Sequence, residues 1–242
     1  MTSQTPAPSS DLLDCVELQT GRPAPGQDTP EWTILWLHGL GADGNDFVPI
    51  VRELVRPDWP SLRFVFPHAP ERPVTVFGGQ RVRAWYDITD FGFANRGDID
   101  GVNAAVAQVE ALIAREAARG VPASRLILAG FSQGGAVALA TGLRRTEPLA
   151  GLVGLSTYLP AGERAAEAFV PGAERQPLFM AHGVADPVVP YLIGERSVAA
   201  LRGLGFTPEW HPYPIAHHVF PQEISDLGAW LQARFRAASG HG

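Results

Sequence analysis

The sequence predicts an α/β protein with a mostly parallel central sheet and helices on both faces. Three observations carry this. Apolar runs of strand length recur along the chain, near-continuous rather than alternating, which is the pattern of strands buried on both faces. Segments with helical apolar spacing separate those runs. One junction between a strand and a helix, Gly130-Phe131-Ser132-Gln133-Gly134, fits a sharp turn with a serine at its tip.

The elements follow in order. Met1 to Ser10 is rich in Thr, Ser and Pro and reads as a disordered tail, without the basic and apolar regions of a secretory signal. Cys15 reads as a half-buried strand residue. Thr33 to His38 (T-I-L-W-L-H) is an apolar strand, and Phe47 to Leu54 a short helix with Asp46 as its N-cap. Arg63 to Phe66 is another strand. Ile99 to Arg119 is a long helix, with Val102, Val106, Val109 and Ile113 at helical spacing. Arg125 to Phe131 is a buried strand, and Gln133 to Arg145 its following helix, with Val137, Leu139, Ala140 and Leu143 as apolar positions. Gly151 to Ser156 and Leu178 to His182 are further strands. Gly194 to Leu204 is helical, Trp210 to Tyr213 is a last strand, and Glu223 to Arg236 closes as an amphipathic helix. Pro67 to Asp98 spans about thirty residues, against a usual ~2–6 for such connections. It holds Phe77, Trp85, Tyr86, Phe91 and Phe93, and is predicted to be a loop over the active site or a flap packing aromatics on the core.

Composition narrows the function. The 242 residues read as one domain with a substantial core. Net charge is −6 and no basic run stands out, which argues against nucleic acid as a partner. No apolar run approaches the ~20 residues of a membrane span. Cys15 is the single cysteine, so no intramolecular disulfide can form and a reducing cytoplasm is the simplest setting. All 19 basic residues are arginine. The absence of lysine excludes a Walker-type phosphate lysine, a Schiff-base lysine and a Ser-Lys dyad. Neither C-x-x-C nor H-E-x-x-H spacing occurs, so no metal site is expected.

A serine hydroxyl needs a base to take its proton and a group to orient that base. Folds with this strained serine turn carry the order Ser, acid, His. Seven acids lie between Ser132 and the late histidines: Glu147, Glu163, Glu167, Glu174, Asp186, Glu195 and Glu209. Asp186 alone directly follows a strand end, in H-G-V-A-D-P-V-V-P. Two adjacent candidates for the base, His217 and His218, lie between the last strand and the last helix, and local geometry does not choose between them. His38 and His182 each precede a glycine at a strand end and read as loop-shaping residues; His68, His211 and His241 have no motif context. An oxyanion hole needs two amides. One is the Gln133 N–H; the other is the Leu40 N–H in His38-Gly39-Leu40-Gly41, with the Leu40 side chain lining the acyl pocket.

Several blocks together resemble the phospholipase/carboxylesterase family of α/β-hydrolases, which includes bacterial carboxylesterases and acyl-protein thioesterases. They are L-H-G-L-G-A-D-G-N-D-F (37–47), P-H-A-P-E-R-P-V-T (67–75), A-W-Y-D-I (84–88), G-F-S-Q-G-G-A (130–136), G-L-S-T-Y-L-P (154–160), H-G-V-A-D-P-V-V-P (182–190) and Y-P-I-A-H-H-V (213–219). The resemblance implies a single α/β-hydrolase domain over 1–242. It implies Ser132 as nucleophile, Asp186 as acid and His217 as base, with His218 in a variable place. It puts the Leu40 and Gln133 amides in the oxyanion hole and Trp85 near the acyl site. Phe77 and Val82 depart from the family pattern, which often has Asn and Met there, and bear on the acyl pocket.

The expected activity is a cytoplasmic serine carboxylesterase acting on a small-molecule ester or thioester through an acyl-enzyme, with no cofactor. Alternatives are a thioesterase or lysophospholipase for long acyl chains, an acyltransferase or perhydrolase with the same triad, and a catalytically silent binding protein. The apolar loop residues leave room for a homodimer.

Overall fold

The computed structural model describes residues 12–23, 26–90, 98–160 and 162–239, with nothing said of the side chains of 163 and 239. The predicted N-terminal tail, Phe91, Phe93, His241 and the side chain of Glu163 lie outside what is described.

Seven strands form one sheet: β1 (Cys15–Thr20), β2 (Trp32–Leu37), β3 (Leu62–Pro67), β6 (Leu126–Phe131), β7 (Gly151–Leu155), β8 (Leu178–Gly183) and β9 (Pro208–Tyr213). Their order is β1-β3-β2-β6-β7-β8-β9. Only β1 runs antiparallel, pairing with β3 from Cys15 opposite Pro67 to Thr20 opposite Leu62. All other pairs are parallel. The helices are α1 (Ile50–Leu54), α2 (Ile99–Ala118), α3 (Gln133–Gly142), α4 (Tyr191–Gly203) and α5 (Pro221–Ser239).

Side chains alternate across a strand, so each central strand feeds two cores. Leu35, Leu37, Leu126 and Leu128 point to the face covered by α2 and α3. Ile34, Trp36, Ile127 and Ala129 point to the face covered by α1 and α5. Residues on both sides of the same strand are fully buried, which is why these strands read as unbroken apolar runs.

The first helix differs from its predicted extent. It starts at Ile50 with Pro49 as N-cap, and Asp46 instead donates its N–H to the Asp43 carbonyl within a turn. Ahead of it the chain makes successive turns, in which the Phe47 and Val48 carbonyls accept from the Ile50 and Val51 amides at three-residue rather than four-residue spacing. The long connection is not a plain loop either. It folds into a hairpin of β4 (Glu71–Val74) and β5 (Gln80–Arg83), joined through a 3₁₀ turn at Thr75–Phe77.

The sheet order sets the site. In parallel sheets, functional groups gather at the carboxyl ends of strands. Residues 38–41 follow β2, Ser132 follows β6, Asp186 follows β8 and His217 follows β9. All four therefore lie on one edge of the sheet.

Candidate active site

Ser132 sits between β6 and α3 with φ 53° and ψ −119°. This is a left-handed, strained backbone for a residue with a Cβ, and such strain persists only where surrounding contacts over-determine it. Those contacts are present. The Ser132 N–H donates to the Leu155 carbonyl at 2.9 Å, and the Ser132 carbonyl accepts from the Ala136 amide at 3.0 Å. It also accepts from Thr157 Oγ1 at 2.6 Å. Gly134 is required by close approach: a Cβ there would overlap the carbonyls of Leu37 and His38.

Asp186 is held in the turn after β8. Its Oδ1 accepts from the amides of Val188 and Val189 at 2.8 and 2.9 Å. Its Oδ2 lies 2.6 Å from His217 Nδ1. Burial works against the charge on Asp186, and the bonds from His217, Val189 and Val188 outweigh it, holding the carboxyl below its ordinary range. With the carboxylate accepting, His217 Nδ1 carries a hydrogen. The His217 ring packs against Phe131, the residue before Ser132, with centroids 4.8 Å apart. Backbone bonds tie the two loops together, from Val184 N–H to the Tyr213 carbonyl at 2.8 Å and from Ala185 N–H to the Ile215 carbonyl at 3.0 Å. Of the adjacent histidines, His217 is the one against Asp186.

The loop after β2 borders Ser132: a Cβ on Gly39 would stand 3.5 Å from the Ser132 Cβ. Gly41 donates to the Arg83 carbonyl at 2.8 Å, which fastens this loop to the hairpin. The Gln133 side chain bridges the same region, accepting from the Trp85 amide at 2.9 Å and donating to the Tyr86 carbonyl at 2.8 Å. The Gln133 N–H itself opens α3, where first-turn amides have no partner within the helix. Trp85 is wholly buried and donates Nε1–H to the His38 carbonyl at 2.9 Å. It braces the loop rather than facing solvent. Phe77 is 41% exposed on the turn between β4 and β5.

His182, expected from the sequence to shape the loop at its strand end, also lies against Asp186. It is buried, its Nε2 donates to the Val189 carbonyl at 2.8 Å, and the same nitrogen lies 3.5 Å from Asp186 Oδ2. Desolvation lowers its pKa, against the bond to the Val189 carbonyl and the charge of Asp186, which raise it. The available signal was its place at the strand end that leads into Asp186.

Comparison with known proteins gives a consistent result. The phospholipase/carboxylesterase family profile matches residues 24–234. The chain is similar to acyl-protein thioesterase 1 of Gibberella zeae, 35% identical over 219 residues, covering 87% of this chain and 92% of the relative. It is similar to a probable carboxylesterase of Oryza sativa subsp. japonica, 34% identical over 208 residues, covering 85% and 78%. Among solved structures, Zea mays acyl-protein thioesterase 2 aligns with a TM-score of 0.78 at 31% identity, covering 92% of this chain and 99% of that one. The profile match over most of the chain, together with relatives at 34–35% identity, shows that the chain belongs to the phospholipase/carboxylesterase family of α/β-hydrolases.

Proposed function

We propose that this hydrolase cleaves carboxylic esters or thioesters through an acyl-enzyme on Ser132. Ser132 Oγ attacks the acyl carbonyl while His217 Nε2 takes its proton. The Leu40 and Gln133 amides stabilise the tetrahedral oxygen. His217 then protonates the departing alcohol or thiol, and a water activated by the same nitrogen releases the acid. Asp186 fixes the imidazole tautomer and stabilises the imidazolium.

The observation that carries this reading is the 2.6 Å bond from His217 Nδ1 to a buried Asp186, with the imidazole seated against the residue preceding Ser132. Ester and thioester substrates are supported by relatives named carboxylesterase and acyl-protein thioesterase. Val184, Val188 and Leu192, close to Asp186 in the chain, are 49%, 45% and 53% exposed, and we take this apolar surface as the rim for an apolar substrate. Leu40 and the exposed Phe77 are proposed to shape the acyl side, with Trp85 bracing from beneath. A cytoplasmic setting rests on the one free thiol, Cys15.

Ser132→Ala tests the reading. Hydrolysis of a p-nitrophenyl ester is expected to vanish while the thermal unfolding midpoint stays close to the parent value. Retained turnover would refute it. The second reading, a preference for long-chain thioesters, follows from the apolar rim. A panel of short and long p-nitrophenyl esters with a matched acyl thioester distinguishes the two by kcat/KM.

A further inference from the structure

The proposed chemistry leaves His38 unused, although it is almost completely buried beside Ser132's neighbours. Its two ring nitrogens have partners of fixed character. Nε2 accepts from the Ala69 amide at 3.0 Å, and an amide can only donate. Nδ1 lies 2.7 Å from the Gly39 carbonyl oxygen, which can only accept. One tautomer satisfies both: Nδ1 carries the hydrogen and Nε2 does not.

That assignment reaches the Leu40 amide through the peptide bond. No cis peptide occurs among the described residues, and in a trans unit the carbonyl of one residue and the N–H of the next point in opposite directions. The Gly39 carbonyl is gripped by His38 Nδ1–H and by the Ala42 amide at 3.3 Å. Holding it there points the Leu40 N–H the other way. Among the described residues the Leu40 N–H donates to no acceptor, as a group reserved for a transient oxyanion requires. Glycine at 39 would otherwise permit this peptide to rotate, since it carries no side chain to block the alternative orientation.

We infer that His38 is a positioning residue for the oxyanion hole, in which its Nδ1–H clamps the Gly39–Leu40 peptide so that the Leu40 N–H is preorganised toward the substrate oxygen. The inference rests on the proposed acyl-enzyme chemistry. Burial lowers the pKa of His38, against the bond to the Gly39 carbonyl and the charges of Asp43 and Asp46, which raise it; the Ala69 amide donating to Nε2 is what requires the neutral ring. Trp85 supports the same loop, donating to the His38 carbonyl with its ring centroid 5.4 Å from that of His38.

Two conservative variants separate a clamp on Gly39 from a plain anchor on Ala69. Asparagine can place an N–H where Nδ1 stands but cannot reach Ala69. Glutamine can place an acceptor where Nε2 stands but has no donor for Gly39. With a p-nitrophenyl ester, His38→Asn is expected to keep kcat within about tenfold of the parent. His38→Gln is expected to lose roughly 10²-fold in kcat, the scale of one lost oxyanion donor, with KM unchanged. A His38→Gln enzyme as fast as His38→Asn, or a loss confined to KM, would overturn the inference while Ser132→Ala remained inactive. Activity in Ser132→Ala would instead bring down the acyl-enzyme reading and this inference together. If neither His38 variant folds, ¹⁵N NMR of the unaltered protein decides. The expected result is a neutral Nδ1–H imidazole whose Nε2 couples to the Ala69 amide; an Nε2–H tautomer would contradict it.

Discussion

At Asp186 burial and bonding pull against each other. Desolvation favours its neutral form, yet three donors hold it ionised. Its folded pKa is depressed, so its contribution to stability is present above the unfolded value of about 3.9 and is lost as pH falls through the lower folded value. Asp186→Asn removes the charge while keeping the shape. In a Ser-His-Asp arrangement this leaves the imidazole in the wrong tautomer, and kcat is expected to fall by about 10⁴-fold with little change in KM. Replacing His217 by Ala should be as damaging as removing Ser132, whereas His218→Ala should cost less than about tenfold; steady-state kinetics on the same ester compares them. Local spacing does not choose between those two adjacent histidines; the family resemblance implies His217, and His217 is the ring bonded to Asp186.

At the scale of elements, the loops are held by contacts that tolerate little change. Gly183 closes β8, and a Cβ there would overlap the carbonyls of Ile215 and Ala216, just before His217. Gly183→Ala is therefore expected to displace the His217 loop and lower kcat by at least about tenfold, although it alters no reacting group. The start of α5 supplies a pH-sensitive element. Glu223 is buried there, and burial pushes its carboxyl up to about 7 even though Oε2 accepts from the Phe220 amide. Because its folded pKa lies above the unfolded value of about 4.3, its protonation stabilises the fold at low pH, and that contribution is lost as pH rises through about 7. Glu223→Gln keeps the acceptor and removes the charge. Its melting temperature relative to the parent is expected to rise between pH 5 and pH 8, by about 2–4 °C per kcal/mol recovered; a difference that is flat with pH would contradict this. The elements also mark what a linear reading missed. The β4–β5 hairpin was obscured because Glu71–Val74 and Gln80–Arg83 are short, charged and half-exposed, unlike the apolar central strands. β1 was legible only through Cys15, because an antiparallel edge strand carries a weaker apolar signal than a buried parallel one.

At the scale of the molecule, the proposed chemistry and a buried ion-pair network lie toward opposite ends of the strands. The carboxyl ends of the strands carry Ser132, Asp186 and His217. Toward the opposite ends, Glu116 is buried and bonds Thr33 Oγ1 at 2.9 Å and Arg63 at 2.7 Å, with Arg115 and Arg119 on its other oxygen. Removing one member of such a buried pair costs about 3–5 kcal/mol. Glu116→Ala is expected to lower the denaturation midpoint accordingly while the folded fraction keeps the parent kcat. A large loss of kcat in folded protein would show that the two ends are coupled. This division explains how much could be read in advance. The central strands, the serine turn and Asp186 announce themselves in short contiguous blocks. The Arg63–Glu116 network and the His38 and His182 contacts do not, since they join residues from different elements.

Covalent labelling tests the central claim most directly. The intact protein would be treated with a fluorophosphonate, digested, and the modified peptide located by mass spectrometry. One adduct on Ser132 is the expected result, absent from Ser132→Ala. Ser156 makes a useful internal comparison, because it too has a left-handed φ of 46° and a buried hydroxyl beside the same strand ends. An adduct on Ser156, or a protein that stays unlabelled while hydrolysing esters, would contradict the assignment of the nucleophile.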